Sequence, residues 1–171
     1  MFFLEDKNFL NDAQKKYIDE LLLYENMSFK LATQAAEVGD NGFHFINHIL
    51  KLEEKEKNTL KQHEKLIDIF RFFLQKNKIK INTLFRVAIN ITFNNGFVYK
   101  CPIHTDHNFE HRQVILYLND AVGDTIICNK NKEPVIISKP EKYKAIVFDK
   151  QPHYHYFPNY GLRAIAIFTF N

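Results

Sequence analysis

Residues 84–93 read LFRVAINITF, and their alternation decides the fold class. Phe85, Val87, Ile89, Ile91 and Phe93 take one side of an extended chain; Arg86, Ala88, Asn90 and Thr92 take the other. Successive side chains of a strand point to opposite faces, so this is the signature of a strand with one apolar and one polar face. Downstream come QVILYLN (113–119), DTIICN (124–129), PVIIS (134–138), YKAIVF (143–148) and LRAIAIFTF (162–170), each bounded by Gly, Asn, Asp, Pro or Lys-rich turns. Short strands at regular spacing predict a β-sandwich or open barrel. No helical segment separates them, which counts against a doubly wound α/β fold.

Upstream of residue 83 the periodicity is helical in two places. Asn11 is suited to cap a helix, with Gln14 three residues on, and Tyr17, Ile18, Leu21 and Leu22 follow at helical spacing. A second helix is expected over 54–76, with Leu60, Ile67, Phe70 and Leu74 as its apolar stripe; the charge run EEKEK (53–57) would be its solvated face. Residues 27–32 and 43–50 read as strands on either side of the turn-rich VGDNG (38–42). The expected class is thus α+β, mainly β, in one domain over 1–171, with helical support over roughly 1–80 and a β core over roughly 83–171.

Composition narrows the function classes. The chain has 171 residues, 46% apolar and 25% charged, enough for a substantial core. Its aromatic residues are 17 Phe and 8 Tyr with no Trp, and rings without a polar handle are mostly packing material. The net charge of +3 is spread along the chain and forms no dense basic arm, so nucleic acid is not indicated as a partner. Cys101 and Cys128 are too few for a disulfide framework. No signal-peptide pattern and no run of 18 apolar residues occurs, so the expected setting is cytoplasmic with no membrane partner.

Chemistry concentrates in two stretches. In CPIHTDHNFEHRQV (101–114), His104 and Asp106 are two apart, so an extended chain aims both at one point. Two histidines and one carboxylate on one face hold a non-haem Fe(II) while leaving positions open, so a third ligand is required from elsewhere. His-x-Asp alone is a weak signal. The second stretch, FDKQPHYHYFPNYGLRAIAIFTFN (148–171), offers His153 and His155 for the third position. It also places Arg163 in an otherwise apolar strand, which is costly unless the guanidinium has an anionic partner. A small dicarboxylate near the metal matches that need.

Taken in order, HTD (104–106), LYLND (116–120), GDT (123–125), AIVFD (145–149), His153 and GLR (161–163) resemble the Fe(II)/2-oxoglutarate-dependent dioxygenases, close to their small prolyl-hydroxylase-like members. The resemblance covers residues 83–171 and implies a double-stranded β-helix (jelly-roll, cupin-like) core. It implies His104, Asp106 and His153 as catalytic metal ligands, and Arg163 on the distal carboxylate of 2-oxoglutarate. Tyr117 matches a family tyrosine that reaches the same carboxylate, although a core role suits it equally. His155 remains the rival to His153, while His107 and His111 are expected in a loop near the site mouth. The implied activity is hydroxylation of an unactivated C–H bond, using Fe(II), 2-oxoglutarate and O2, with ascorbate as an accessory reductant. A prolyl residue in a peptide or protein, or a free amino acid, is the implied substrate.

Two departures stand out. Many relatives carry a hydroxyl residue two positions after the arginine, where this chain has Ile165; a second Gly often accompanies Gly123. His44 and His48 read as structural or edge residues, Arg86 and Asn90 as core or substrate-facing, and FNNGFVYK (93–100) as a flexible lid. Two other readings fit the same residues: a cupin-like metal-dependent hydrolase or isomerase, and a non-catalytic β-sandwich binding module.

Overall fold

The computed structural model describes residues 1–23, 27–36, 38–52, 56–57 and 61–171. Strands pair antiparallel throughout and form two sheets. The larger runs β1 (Phe3–Asp6), β9 (Ala145–Asp149), β6 (Arg112–Tyr117), β11 (Leu162–Phe170), β5 (Leu84–Phe93), β3 (His44–Lys51) and β2 (Lys30–Ala32), with β4 (Glu56–Lys57) added to β3. The smaller runs β10 (His153–His155), β7 (Thr125–Cys128) and β8 (Pro134–Ser138). Two helices, α1 (Asp12–Leu21) and α2 (Lys61–Lys76), complete the described elements.

The helices form where their local signals are complete. Asn11 Oδ1 accepts from the Gln14 amide at 2.9 Å while Gln14 Oε1 accepts from the Asn11 amide at 2.9 Å, a reciprocal capping box. The expected start of the second helix at 54 is corrected: Glu56 and Lys57 pair with β3, and the described part of the helix runs from Lys61. Leu60 and most of EEKEK lie outside the described residues. The strand expected over 27–32 shortens to Lys30–Ala32, and the N-terminal strand β1 was not anticipated.

Both faces of the large sheet's centre are buried, so β6, β9 and β11 read as nearly continuous apolar runs. One face, with Val87, Ile89, Val114, Leu116, Val147, Ala166 and Phe168, packs against Tyr17, Ile18, Leu21, Leu66, Phe70 and Phe73 of the helices. Phe70 stacks on Phe168 at 4.6 Å between centroids and meets Phe170 edge-on at 5.4 Å. The other face turns Ile115, Tyr117, Ile146, Phe148, Ile165 and Ile167 toward Ile127 of the small sheet. Strand β5 keeps the alternation read from sequence over Val87, Ile89 and Ile91. The β11 register then skips Phe85, between Thr169–Arg86 and Phe170–Leu84, and Phe85 packs edge-on against Phe109 instead.

Candidate functional site

The polar face of β5 marks where the space between the sheets is not filled by apolar side chains. A cavity of about 180 Å³ opens there, and His104, Asp106, His153 and Arg163 all line it. Its position follows from backbone pairing. Residues 100–104 run antiparallel beside β10, with bridges Lys100–Tyr156 and His104–His153. The His104 amide donates to the His153 carbonyl at 3.0 Å, and the reverse bond is 2.9 Å. Two histidines 49 positions apart thereby become direct cross-strand neighbours, ring centroids 4.7 Å apart.

Asp106 lies between them. Its Oδ1 is 3.5 Å from the Nε2 of His104 and 3.5 Å from the Nε2 of His153. Each histidine also hydrogen-bonds through Nδ1, His104 to the Pro102 carbonyl at 2.9 Å and His153 to the Gln151 carbonyl at 3.0 Å. A carbonyl can only accept, so each Nδ1 carries a proton and each Nε2 is the ring atom turned toward Asp106, the one a metal would replace a proton on. The three groups offer one ligand atom apiece, all within 4.8 Å of one another. Neighbouring ligands of an ion bound at about 2.1 Å sit about 3 Å apart, so little adjustment separates this arrangement from a bound state.

The other carboxylate oxygen has its own partner. Arg86 Nη1 reaches Asp106 Oδ2 at 3.3 Å, which leaves Oδ1 for the cluster. Burial opposes the charge on Asp106, but His104, His153 and Arg86 hold its carboxyl well below the usual carboxylate range. Burial also opposes a charge on His104, yet contact with Asp106 and with the Cys101 thiol pushes its pKa up to about 10. The donor set carries one net negative charge, from Asp106, and two neutral imidazole lone pairs once the histidines bind a cation. That chemistry suits a divalent metal.

Arg163 also lines the cavity and is 1% exposed. Its Nη2 donates to Thr125 Oγ1 at 2.7 Å, while Nε and Nη1 are buried without a partner. Burial pulls its pKa down from the usual arginine value, with Tyr117 acting the other way. Among the described residues no carboxylate pairs with it. Tyr117 is fully buried behind it, the Arg163 Cζ lying 5.8 Å from its ring centroid. The Tyr117 hydroxyl is 2.9 Å from Thr125 Oγ1 and 3.2 Å from Ser138 Oγ, and the residue does not line the cavity. Thr125 does line it. Thr125 Oγ1 accepts from Arg163 and is within hydrogen-bond distance of the Tyr117 hydroxyl. Thr125 thus brings, from β7, a hydroxyl into the cavity beside Arg163, a placement the sequence reading missed.

Other expectations resolve by position. His155 shares β10 with His153 but stands outside the three-residue cluster. Burial, aided by Arg163, drives its pKa well below the usual histidine value, so its ring is neutral. His44 is not an edge residue: it is buried in the cavity wall, and burial lowers its pKa. Arg86 and Asn90 line the cavity, as their face of β5 implied. His107 and His111 do not; they pack around Phe109, with ring centroids 4.6 Å and 6.0 Å from it.

Ala35 and Ala36 line the cavity, and no residue of 93–100 does. Their loop is built on Asp40, whose carboxylate accepts from the amides of Ala35 at 3.0 Å, Ala36 at 2.7 Å and Gly42 at 2.8 Å. A Cβ on Gly42 would lie 2.5 Å from that of Ala35, so only glycine fits. The segment 93–100 braces this loop, Asn95 Nδ2 donating to the Asn41 carbonyl at 3.0 Å. Gly123 is fixed in the same way: at φ +102°, a Cβ would approach the Tyr156 carbonyl oxygen to 2.4 Å.

Sequence comparison matches no protein-family model and no curated protein. Structural comparison is decisive about the fold. A 2OG-Fe(II) oxygenase family oxidoreductase from Burkholderia pseudomallei superposes with a TM-score of 0.78 at 15% identity, covering 99% of this chain and 84% of that one. A prolyl hydroxylase from Trichoplax adhaerens, in complex with a hypoxia inducible factor oxygen degradation domain peptide fragment, gives 0.67 at 15% identity over 98% and 82%. The viral collagen prolyl hydroxylase of Paramecium bursaria Chlorella virus-1, as a 2OG complex, gives 0.63 at 14% identity over 99% and 96%. The chain thus has the fold of the 2OG-Fe(II) oxygenases, in line with the resemblance carried by its sequence motifs.

Proposed function

We propose that the chain is an Fe(II)- and 2-oxoglutarate-dependent oxygenase, a single domain over 1–171 whose two sheets form a double-stranded β-helix. The observation that carries this reading is the Arg163 guanidinium, buried with two unpartnered nitrogens in the same cavity as His104, Asp106 and His153. A cupin-like hydrolase or isomerase has no use for that group, and a binding module has no use for the three converging ligand atoms.

His104 and His153 would hold the metal through Nε2 and Asp106 through Oδ1, with Arg86 keeping the carboxylate turned by its other oxygen. Arg163 and the Thr125 hydroxyl would bind the distal carboxylate of 2-oxoglutarate and so fix the orientation of its keto acid end toward the metal. Ile115, Ile165 and Ile167 exclude water from the space between. When bound, Fe(II) with 2-oxoglutarate and O2 supplies the oxidising power to hydroxylate an unactivated C–H bond, with release of succinate and CO2. Ascorbate would serve as an accessory reductant. Similarity to prolyl hydroxylases, one of them bound to a peptide, supports a prolyl residue in a peptide or protein, or a free amino acid, as substrate. Two buried free thiols suit a cytoplasmic setting.

Thermal unfolding with Mn(II), a redox-inert stand-in, tests the reading. A Tm rise that requires Mn(II) and 2-oxoglutarate together is expected. A rise with Mn(II) alone that 2-oxoglutarate does not enlarge would leave a hydrolase, and no response to either would leave a binding module. Substrate-stimulated succinate release from a panel of peptides and amino acids then identifies the substrate.

A further inference from the structure

One buried nitrogen in the cavity has neither a partner nor a role so far. His155 follows His153 by two residues on β10, so both rings project from the same strand face. His153 meets Asp106; His155 is displaced along the strand, away from the cluster and toward Arg163. Across the small sheet it pairs with Thr125, the residue that accepts the Arg163 hydrogen bond. Its Nε2 is buried without a partner, as are Nε and Nη1 of Arg163, and all three residues line the cavity. Each orphaned buried donor or acceptor costs about 1–3 kcal/mol. Three such nitrogens, on residues that line one cavity together with a threonine hydroxyl, describe a receptor for an oxygen-rich anion.

We propose that His155 is a further contact to the distal carboxylate of the co-substrate, and that it raises selectivity for a 2-oxo dicarboxylate over a 2-oxo monocarboxylate. The proposal rests on the functional reading above. A carboxylate accepts at about four lone-pair positions. Arg163 and Thr125 approach from β11 and β7, and His155 closes the remaining side from β10. An apolar residue at 155 would pack against the ligand's methylenes but leave one of those positions empty.

The test is calorimetric titration of the Mn(II)-loaded protein with 2-oxoglutarate and, separately, 2-oxobutyrate. His155→Val should weaken 2-oxoglutarate about tenfold, the effect of one hydrogen bond. It should leave 2-oxobutyrate and Mn(II) within about twofold, and His155→Gln should recover most of the loss. Unchanged 2-oxoglutarate affinity in a folded His155→Val protein overturns the proposal, and so does lost Mn(II) affinity, which would make His155 a ligand. If His155→Val does not fold, NMR of the Zn(II)-loaded wild type decides: 2-oxoglutarate, but not 2-oxobutyrate, should shift the His155 ring resonances, and no shift overturns it. Wild-type protein that binds no 2-oxoglutarate overturns the functional reading as well; intact wild-type binding with an indifferent His155→Val overturns this inference alone.

Discussion

The two faces of the large sheet do different work with similar strands. Toward the helices, Val87, Ile89, Val114, Val147 and Phe168 meet Phe70, Phe73 and Leu66 in a continuous apolar layer. Toward the small sheet, the apolar layer extends only partway, through Ile115, Ile146 and Phe148; beyond it Arg86, Asn90, Thr92 and Arg163 face a cavity. The helix face is stabilised by area and packing density. The cavity face carries buried polar groups whose partners are incomplete, a burden that stability alone does not explain. Stability and function are therefore separable by face.

That separation makes predictions that break or sharpen it. Phe70→Ala, in the helix layer, should destabilise by about 3–5 kcal/mol in denaturant unfolding. The protein that remains folded should still respond to Mn(II) and 2-oxoglutarate; loss of that response would show that the faces are coupled. Arg163→Met keeps the side-chain bulk and should give the opposite pattern. Its 2-oxoglutarate affinity should fall about 100-fold or more by calorimetry, while Tm is unchanged or higher because a buried, unpaired charge has gone.

Arg86→Met probes the support of the cluster. Loss of the partner on Asp106 Oδ2 should weaken Mn(II) binding about 10–100-fold with little change in unfolding midpoint. A large stability loss instead would assign Arg86 to the core. The smallest effect is expected at Asn11→Ala, which removes the α1 capping box and should cost about 1 kcal/mol. Ligand affinities should be untouched there, since α1 packs on the helix-facing layer and does not line the cavity.

How much was legible follows from how local each signal is. The β5 alternation, the apolar runs and the Asn11 cap are properties of neighbouring residues, and they formed as read. The start of α2 was misplaced because pairing of Glu56 and Lys57 with β3 is a long-range event that overrode helical periodicity. β1 escaped notice because Phe3–Asp6 is short and only half-buried, held by its register against β9. In the candidate site, the two-residue spacing of His104 and Asp106 was a weak signal that drew weight only from His153 and Arg163 farther along the chain. Thr125 was not readable, because its hydroxyl acquires meaning only where β7 brings it under Arg163. The Ala35–Ala36 part of the cavity wall had no chemical signal at all; it depends on Asp40 gathering three amides.

The sequence by itself determined that the chain alternates like a sheet protein and that its histidines, Asp106 and Arg163 fall in an order shared with an oxygenase family. Periodicity and motif spacing are written along the chain, and reading them requires no knowledge of distant contacts. Tertiary structure alone decided which of His153 and His155 converges with His104 and Asp106, for the two share one strand face and differ only in what lies opposite. His104 stands across from His153, and Thr125 with Arg163 lies beside His155. Strand register, an outcome of long-range pairing, made that choice.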